Sequence, residues 1–492
     1  MRGRGGTIGF WLGLLAVTLL TTWGVLYGDY VALSLAVSAI LMGASLWLTI
    51  GRCSRPEIPS SATIWLMLFL AMNFLGGLYL FWTHADAYFL VRSHAPNFRL
   101  LALLTLGPVG IAAGVVAATR WLRFQPAAEV RRFSSRRLTD SPQLALWIGI
   151  AFLLALAATL FYFQLRGGIP LAEVLSHFEA REHSTLQQLR REFTQAELGS
   201  RHAYAATFYQ FYGMVMPWCA LFFLLRALQT GRRALWVITG TMMALTSFSL
   251  LASLDRWPLM KFSLMILLVV SVVQRWSWRR WTIWGLVLFA VFSTLTLIRH
   301  PGRPSDVLEL GSERVLLKQV MPVYFITQTV PGQMPYQMGA ATWNDISLQR
   351  FGHKEGLRFS QWTFAELTRA RAYQGYGTSP TVFFTLFYVD FGFPGVLLGG
   401  FLLGLVLQSV YVWFVRGEKS LHRLIFYGML TEAFTTTVYG LLPGTLAQYV
   451  LPLVLMYGLM TLLHRQAREL APRNASLAVE QAAPPYFGGQ VR

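Results

Sequence analysis

The chain has 492 residues, of which 55% are hydrophobic and only 13% charged, and its mean hydropathy is +0.48. Soluble domains carry charge on about a quarter of their residues, so water is excluded as the main solvent. The net charge of +19 is divided among many short loops and forms no continuous basic face, which argues against a nucleic-acid partner and for a membrane-topology signal.

Apolar residues recur in runs of about twenty, the length a helix needs to cross a hydrocarbon core roughly 30 Å thick, and not in the short alternating stretches of an outer-membrane barrel. The expected fold is therefore all-α, a polytopic integral membrane protein. The first run, Thr7 to Tyr27, follows Arg2 and Arg4 and is too long for the core of a signal peptide, so it is expected to be retained. Further spans are expected near 31–50, 62–83, 98–118, 143–163, 203–225, 234–253, 257–274, 281–298, 394–414, 424–441 and 445–463, about twelve in all, in one transmembrane domain over 1–473. Lys and Arg concentrate in alternate loops: Arg52 and Arg55; Arg120 to Arg137; Arg232 and Arg233; Arg275 to Arg280; Arg416 to Arg423. Basic loops stay in the cytoplasm, so both termini are expected there.

The same parity places two long hydrophilic segments, 164–202 and 299–380, on the outer face. Each mixes acids, bases and aromatic residues and holds helical patterns, such as Ser184 to Leu198 and the capping-box start Thr363-x-x-Glu366. Val307 to Val330 is apolar enough to lie in the interface, whereas Glu309, Glu313, Arg314 and Lys318 argue against a further span. The tail at 474–492, with Pro484, Pro485, Gly488 and Gly489, reads as disordered. No internal repeat is evident, which weakens a reading as a transporter built from inverted halves.

Several places can carry chemistry. Asp390 lies deep in the apolar run Thr381 to Gly395, where an ionisable residue is costly and faces the protein interior or a wet cavity. Gly392, Pro394 and Gly395 should interrupt the helix there and leave a short re-entrant piece; the plainer alternative is that Asp390 caps the following helix. The letters Asp-Phe-Gly also occur in kinases, but the Gly-rich loop and His-Arg-Asp partners of a kinase are missing. Arg256, in Leu254-Asp-Arg-Trp-Pro-Leu259 with Lys261 one turn on, suits bidentate capture of a phosphate group, or else only anchors helix depth. Arg299, His300 and Arg303 form a similar basic mouth, although arginines commonly end spans. Arg166 precedes Gly167-Gly-Ile-Pro170, which stops a helix and turns the chain along the surface ahead of a loop ending at Arg201. His177, His183, His202, His300, His353, Glu355 and Glu366 lie in the outer segments as candidate general bases, and the sequence does not choose among them. Cys53 and Cys219 suggest neither a disulfide framework nor a metal site, and no His, Cys or acidic spacing implies a metal or another cofactor.

Four stretches together resemble the oligosaccharide repeat-unit polymerases, the Wzy-type O-antigen polymerase family. They are Gly167-Gly-Ile-Pro170, Arg256-Trp-Pro-Leu259, the large outer segment late in the chain, and Tyr388-x-Asp390-Phe391-Gly392-x-x-Gly395 leading into a Leu/Gly-rich helix. The chain departs from some members in lacking an Arg-x10-Gly loop motif. The resemblance implies a multi-span glycosyltransferase of the GT-C type. It would be metal-independent and would act on undecaprenyl-diphosphate-linked glycan drawn from the membrane lipid, with a chain-length regulator protein as a possible partner. The resemblance also implies a bacterial inner membrane with the two long segments in the periplasm. Such a reaction needs cations for the diphosphate and a base for the acceptor hydroxyl; Arg256 with Arg299 or Arg303 is expected to hold the diphosphate, Arg166 or Arg201 to form a second clamp, and His300, His353 or Glu355 to be the base. The rivals are an O-antigen ligase and a transporter or flippase of lipid-linked sugars.

Overall fold

The computed structural model describes residues 30–83, 97–136, 138–139, 142–165, 210–252, 257–299, 317, 319–343, 363, 381–440 and 446–482. Among them the architecture is all-helical, without strands. In chain order the helices are α1 (Tyr30–Trp47), α2 (Ser61–Phe69), α3 (Leu75–Thr83), α4 (Phe98–Trp121), α5 (Pro126–Ser135), α6 (Pro142–Leu165), α7 (Met216–Thr230), α8 (Arg233–Leu251), α9 (Trp257–Gln274), α10 (Trp278–Arg299), α11 (Met321–Thr329), α12 (Phe384–Arg416), α13 (Leu421–Thr435) and α14 (Leu451–Ala482). Among the described residues, seven stretches are long and apolar enough to cross a membrane: Tyr30–Arg52, Ser61–Trp82, Phe98–Trp121, Leu144–Gln164, Phe211–Thr230, Arg233–Leu251 and Phe384–Arg416. This is the architecture of a polytopic membrane protein. The expected first span at 7–27 lies outside the described residues, as do the helical patterns at 184–198 and 366–374.

Burial separates the inner helices from the outer ones. The spans of α4 and α7 bury 67% and 72% of their apolar windows, whereas those of α6 and α8 bury 28% each and present Leu146, Leu153 and Val237 outward. Lipid tails are as apolar as leucine, so burial alone gives helices in a bilayer little reason to associate; close packing and polar contacts must supply it. The central pair, α4 and α12, does so through glycine. A Cβ placed on Gly110 would stand 2.6 Å from the Leu397 carbonyl oxygen, and one on Gly400 would stand 2.6 Å from that of Gly107; Gly114 and Gly404 meet the Phe401 and Ile111 carbonyls more tightly still. The two backbones touch along a seam that has no room for any side chain.

The short piece expected before the span at 394–414 is present: helix α12 begins at Phe384, and its first part is a separate short helix across a kink at Gly392 (φ 66°, ψ −153°). Three other elements differ from the sequence expectation. Helix α13 stops at Thr435, gives way to a 3-10 turn at Thr436–Val438, and does not continue to 441. Helix α11, within the stretch expected to rest at the interface, is buried: Asn97 Nδ2 donates to Thr327 Oγ1 (2.9 Å) and Tyr388 Oη to Val330 O (2.9 Å). The backbone of α14 runs as helix to Ala482, through residues expected to open the disordered tail; the Ala, Leu, Glu and Gln there are good helix formers.

At the arginine-rich end, guanidinium groups satisfy carbonyls left open where helices stop. Arg416 Nη2 donates to Leu122 O (2.8 Å) and Arg136 Nη1 to Gly417 O (2.6 Å). Arg416 also grips Glu129 with two hydrogen bonds, Nε to Oε2 at 2.7 Å and Nη2 to Oε1 at 3.0 Å. That contact holds the Glu129 carboxyl below its ordinary range.

Two predictions follow from this packing. Gly110→Leu should lower the midpoint of thermal unfolding in detergent by an amount equivalent to about 1–3 kcal/mol and reduce membrane abundance, while Gly240→Ala, with nothing near its added Cβ, should leave both unchanged. A Glu129→Gln variant should lose under about 1 kcal/mol near pH 7. Because the folded-state pKa is depressed, that contribution is present above the unfolded value of about 4.3 and disappears as pH falls through the folded one, so melts of variant and parent should converge in acid.

Candidate functional site

The motif Tyr388-x-Asp390-Phe391-Gly392-x-x-Gly395 forms a re-entrant hairpin. Residues 384–391 are helical, Gly392 turns the chain with a left-handed φ, and the long arm of α12 starts at once. A Cβ at Gly392 would meet the Tyr336 ring at 3.1 Å, one at Gly395 would stand 2.5 Å from Phe387 O, and one at Gly399 2.8 Å from the Phe387 ring. The short arm therefore folds back against the long one, and small residues allow it. Asp390 is fully buried. Its Oδ1 accepts from the Ala341 amide (3.0 Å), and its Oδ2 from the Thr342 amide (3.0 Å) and the Thr342 hydroxyl. Asp390 thus holds the start of the helical turn at 340–343, a segment distant in sequence, and does not cap the helix that follows it. Gln337 N to Val389 O (2.9 Å) and Met338 N to Asp390 O (3.0 Å) complete the dock.

A second ionisable group, Glu432, is also buried, 2% exposed. It lies near the end of helix α13, whose 15 residues, about 22 Å at 1.5 Å per residue, are too short for a hydrocarbon core of roughly 30 Å. There it meets Lys261 of α9, with Nζ 3.4 Å from Oε1 and the two side chains 9% and 3% exposed. The Tyr449 ring, from the π-helical turn Leu446–Val450, covers the ammonium with its centroid 4.1 Å from Nζ. Apart from this ion pair, Glu432 Oε1 has no hydrogen-bond partner. Beside it is a cavity of about 20 Å³, room for one water-sized group, walled by Gly213, Met214, Pro217 and Pro258. Gly213 and Met214 belong to another π-helical turn, Phe211–Val215. Such turns recur where helices are shaped for function.

Polar contacts tie this end of α13 to α2 and to the turn after it: Ser61 Oγ to Thr431 Oγ1 (2.7 Å), Trp65 Nε1 to Thr437 Oγ1 (2.8 Å) and Asn73 Nδ2 to Val438 O (3.0 Å). The hairpin joins the same place through the Phe383 amide, which donates to Thr437 O (3.0 Å).

Of the residues singled out in the sequence, Asp390, Gly392 and Gly395 are brought together in the hairpin. Arg299 ends α10. Arg166, Arg201, Arg256, His300, Arg303, His353 and Glu355 lie outside the described residues. Among the described residues no group of three His, Cys, Asp or Glu is placed to hold a metal. Sequence reasoning named Lys261 only as a neighbour of Arg256 and missed Glu432, although an acid inside the apolar run 424–441 is the same signal that drew attention to Asp390.

No family model, curated protein or solved structure matches the chain.

Asp390→Ala should strand the Ala341 and Thr342 donors, a loss of roughly 2–4 kcal/mol. Hydrogen exchange at 337–342 should then accelerate sharply relative to the α4–α12 seam. Unchanged exchange there would mean that the carboxylate does not hold the segment.

Proposed function

We propose that the chain polymerises undecaprenyl-diphosphate-linked oligosaccharide repeat units at the outer face of a bacterial inner membrane. In this reading about twelve spans carry both termini in the cytoplasm and the segments 164–202 and 299–380 outside, in the manner of the Wzy-type, GT-C-like glycosyltransferases. The observation that carries it is the buried Lys261–Glu432 pair at the end of a helix too short to span. Two charges at such depth are expensive to maintain, and membrane proteins keep them where a reaction or a passage requires them. The re-entrant hairpin supports the same reading, since irregular backbone within a bundle marks a site or a cavity.

The reaction moves a growing glycan from its lipid diphosphate to a hydroxyl of the incoming lipid-linked unit, and undecaprenyl diphosphate leaves. Cations stabilise the leaving diphosphate, a role for Arg256 with Arg299 or Arg303, and for Arg166 or Arg201 as a second clamp. A proton acceptor serves the attacking hydroxyl, for which His300, His353 and Glu355 are the candidates from the sequence. No metal takes part, and a chain-length regulator would act as a separate protein.

The buried pair also supports a second reading, a transporter of lipid-linked sugars, in which paired charges line a passage. Purified protein in nanodiscs, given lipid-linked repeat units from the host bacterium, separates the readings. A ladder spaced by one repeat, formed without added metal, is the expected result. Transfer that appears only when a lipid A core acceptor is added would make the chain an O-antigen ligase, and movement between leaflets without transfer would make it a flippase.

A further inference from the structure

The cavity beside Lys261 and Glu432 is unusual in what it will accept. Glu432 Oε1 is a buried acceptor whose one partner is the Lys261 ion pair, and its carboxylate charge repels an anion. The Lys261 ammonium, 3.4 Å away, repels a cation and can itself donate. The space, about 20 Å³, admits one oxygen-sized group. A neutral group that donates one hydrogen bond and accepts another fits all three conditions, and that group is a hydroxyl, with water as its stand-in. The walls are suited to admit it from a larger molecule. Two are π-helical turns, Phe211–Val215 and Leu446–Val450, and a third is Pro258 in the first turn of α9; each departs from regular helical hydrogen bonding and can shift without breaking a full ladder.

We propose that Glu432 and Lys261 seat the acceptor sugar hydroxyl and that Glu432 takes its proton, in place of the outer-segment residues suggested by the sequence. The inference rests on the polymerase reading. The hydroxyl donates to Glu432 Oε1 and accepts from Lys261 Nζ. The donor's anomeric carbon reaches that oxygen only when the π-helical walls part beyond the closed volume of about 20 Å³; as the oxygen bonds to that carbon, the proton passes to Glu432. The bond from that carbon to the diphosphate oxygen breaks, and its electron pair leaves with undecaprenyl diphosphate. Glu432 then releases the proton to water, and the pair is restored. Glu432 is the catalytic residue; Lys261 is a positioning residue that fixes the carboxylate through their ion pair, with the Tyr449 ring behind the ammonium.

A structural role and a chemical role for the pair predict different results. Replacing a buried ion pair by apolar residues of similar volume is commonly neutral or stabilising, whereas removing one partner is not. The double variant Lys261→Met with Glu432→Leu should therefore melt at the wild-type temperature in nanodiscs and still lose at least about 100-fold in the rate of ladder formation. Glu432→Asp, which keeps the charge on a shorter arm, should lower kcat with little change in the KM for the lipid-linked repeat unit. Lys261→Arg, which keeps the cation, should retain more activity than Lys261→Met. A double variant that folds and polymerises at the wild-type rate would overturn the proposal and leave the polymerase reading intact. Wild-type protein that forms no ladder from lipid-linked repeat units in the same assay would overturn both.

Discussion

Direct contact between the backbones of α4 and α12 is the constraint on which the rest of the bundle depends. In a bilayer, an apolar side chain gains almost nothing by leaving lipid for protein, so two helices join firmly only where they approach closely enough for dispersion contacts to accumulate. Gly107, Gly110 and Gly114 on one helix and Gly400 and Gly404 on the other allow that approach. The seam fixes where the long arm of α12 lies. It thereby fixes the hairpin at its start, and through Phe383 and Thr437 it fixes the turn beyond α13.

Around this seam the interior is more polar than composition suggests. Ser61, Trp65 and Asn73 hold the end of α13 and its turn by hydrogen bonds, and Tyr411 and Tyr427 reach the Ile58 and Pro59 carbonyls at 2.9 and 2.8 Å. Each contact satisfies a group that would otherwise be stranded away from water, so together they specify one arrangement. Other buried groups stay open: Asn73 Oδ1, Thr385 Oγ1 and Gln408 Oε1 have no hydrogen-bond partner, nor has Glu432 Oε1, and the room beside Glu432 has the size of one such partner.

Much of the helical skeleton was legible from hydropathy, because a run of about twenty apolar residues has few other destinies. The kink at Gly392 was legible too, since glycine and proline punctuate helices independently of tertiary context. The early end of α13 was not: residues 436–441 are as apolar as those before them, and the polar partners that favour a 3-10 turn there come from Trp65 of α2 and from Asn73 in the π-helical turn Leu70–Phe74. The role of Asp390 was half legible. Its burial could be inferred, but its partners, Ala341 and Thr342, lie about fifty residues away and are polar donors of a kind found everywhere. Lys261 and Glu432 were invisible as a pair, because nothing local links two single charges 171 positions apart.

The unequal burial of the helices has a consequence for how such a chain changes over time. On the outward faces of α6 and α8, one aliphatic side chain does the work of another, so substitutions there drift almost freely within the apolar alphabet. At the seam and the hairpin a single added methyl group meets backbone or a packed aromatic ring. Ancestry in a chain of this kind is therefore written in a handful of small residues and their spacing. Two descendants can share the whole architecture while agreeing at few other positions, and a comparison weighted toward the glycine register of α4 and α12 will reach further back than one that counts identities along the full length.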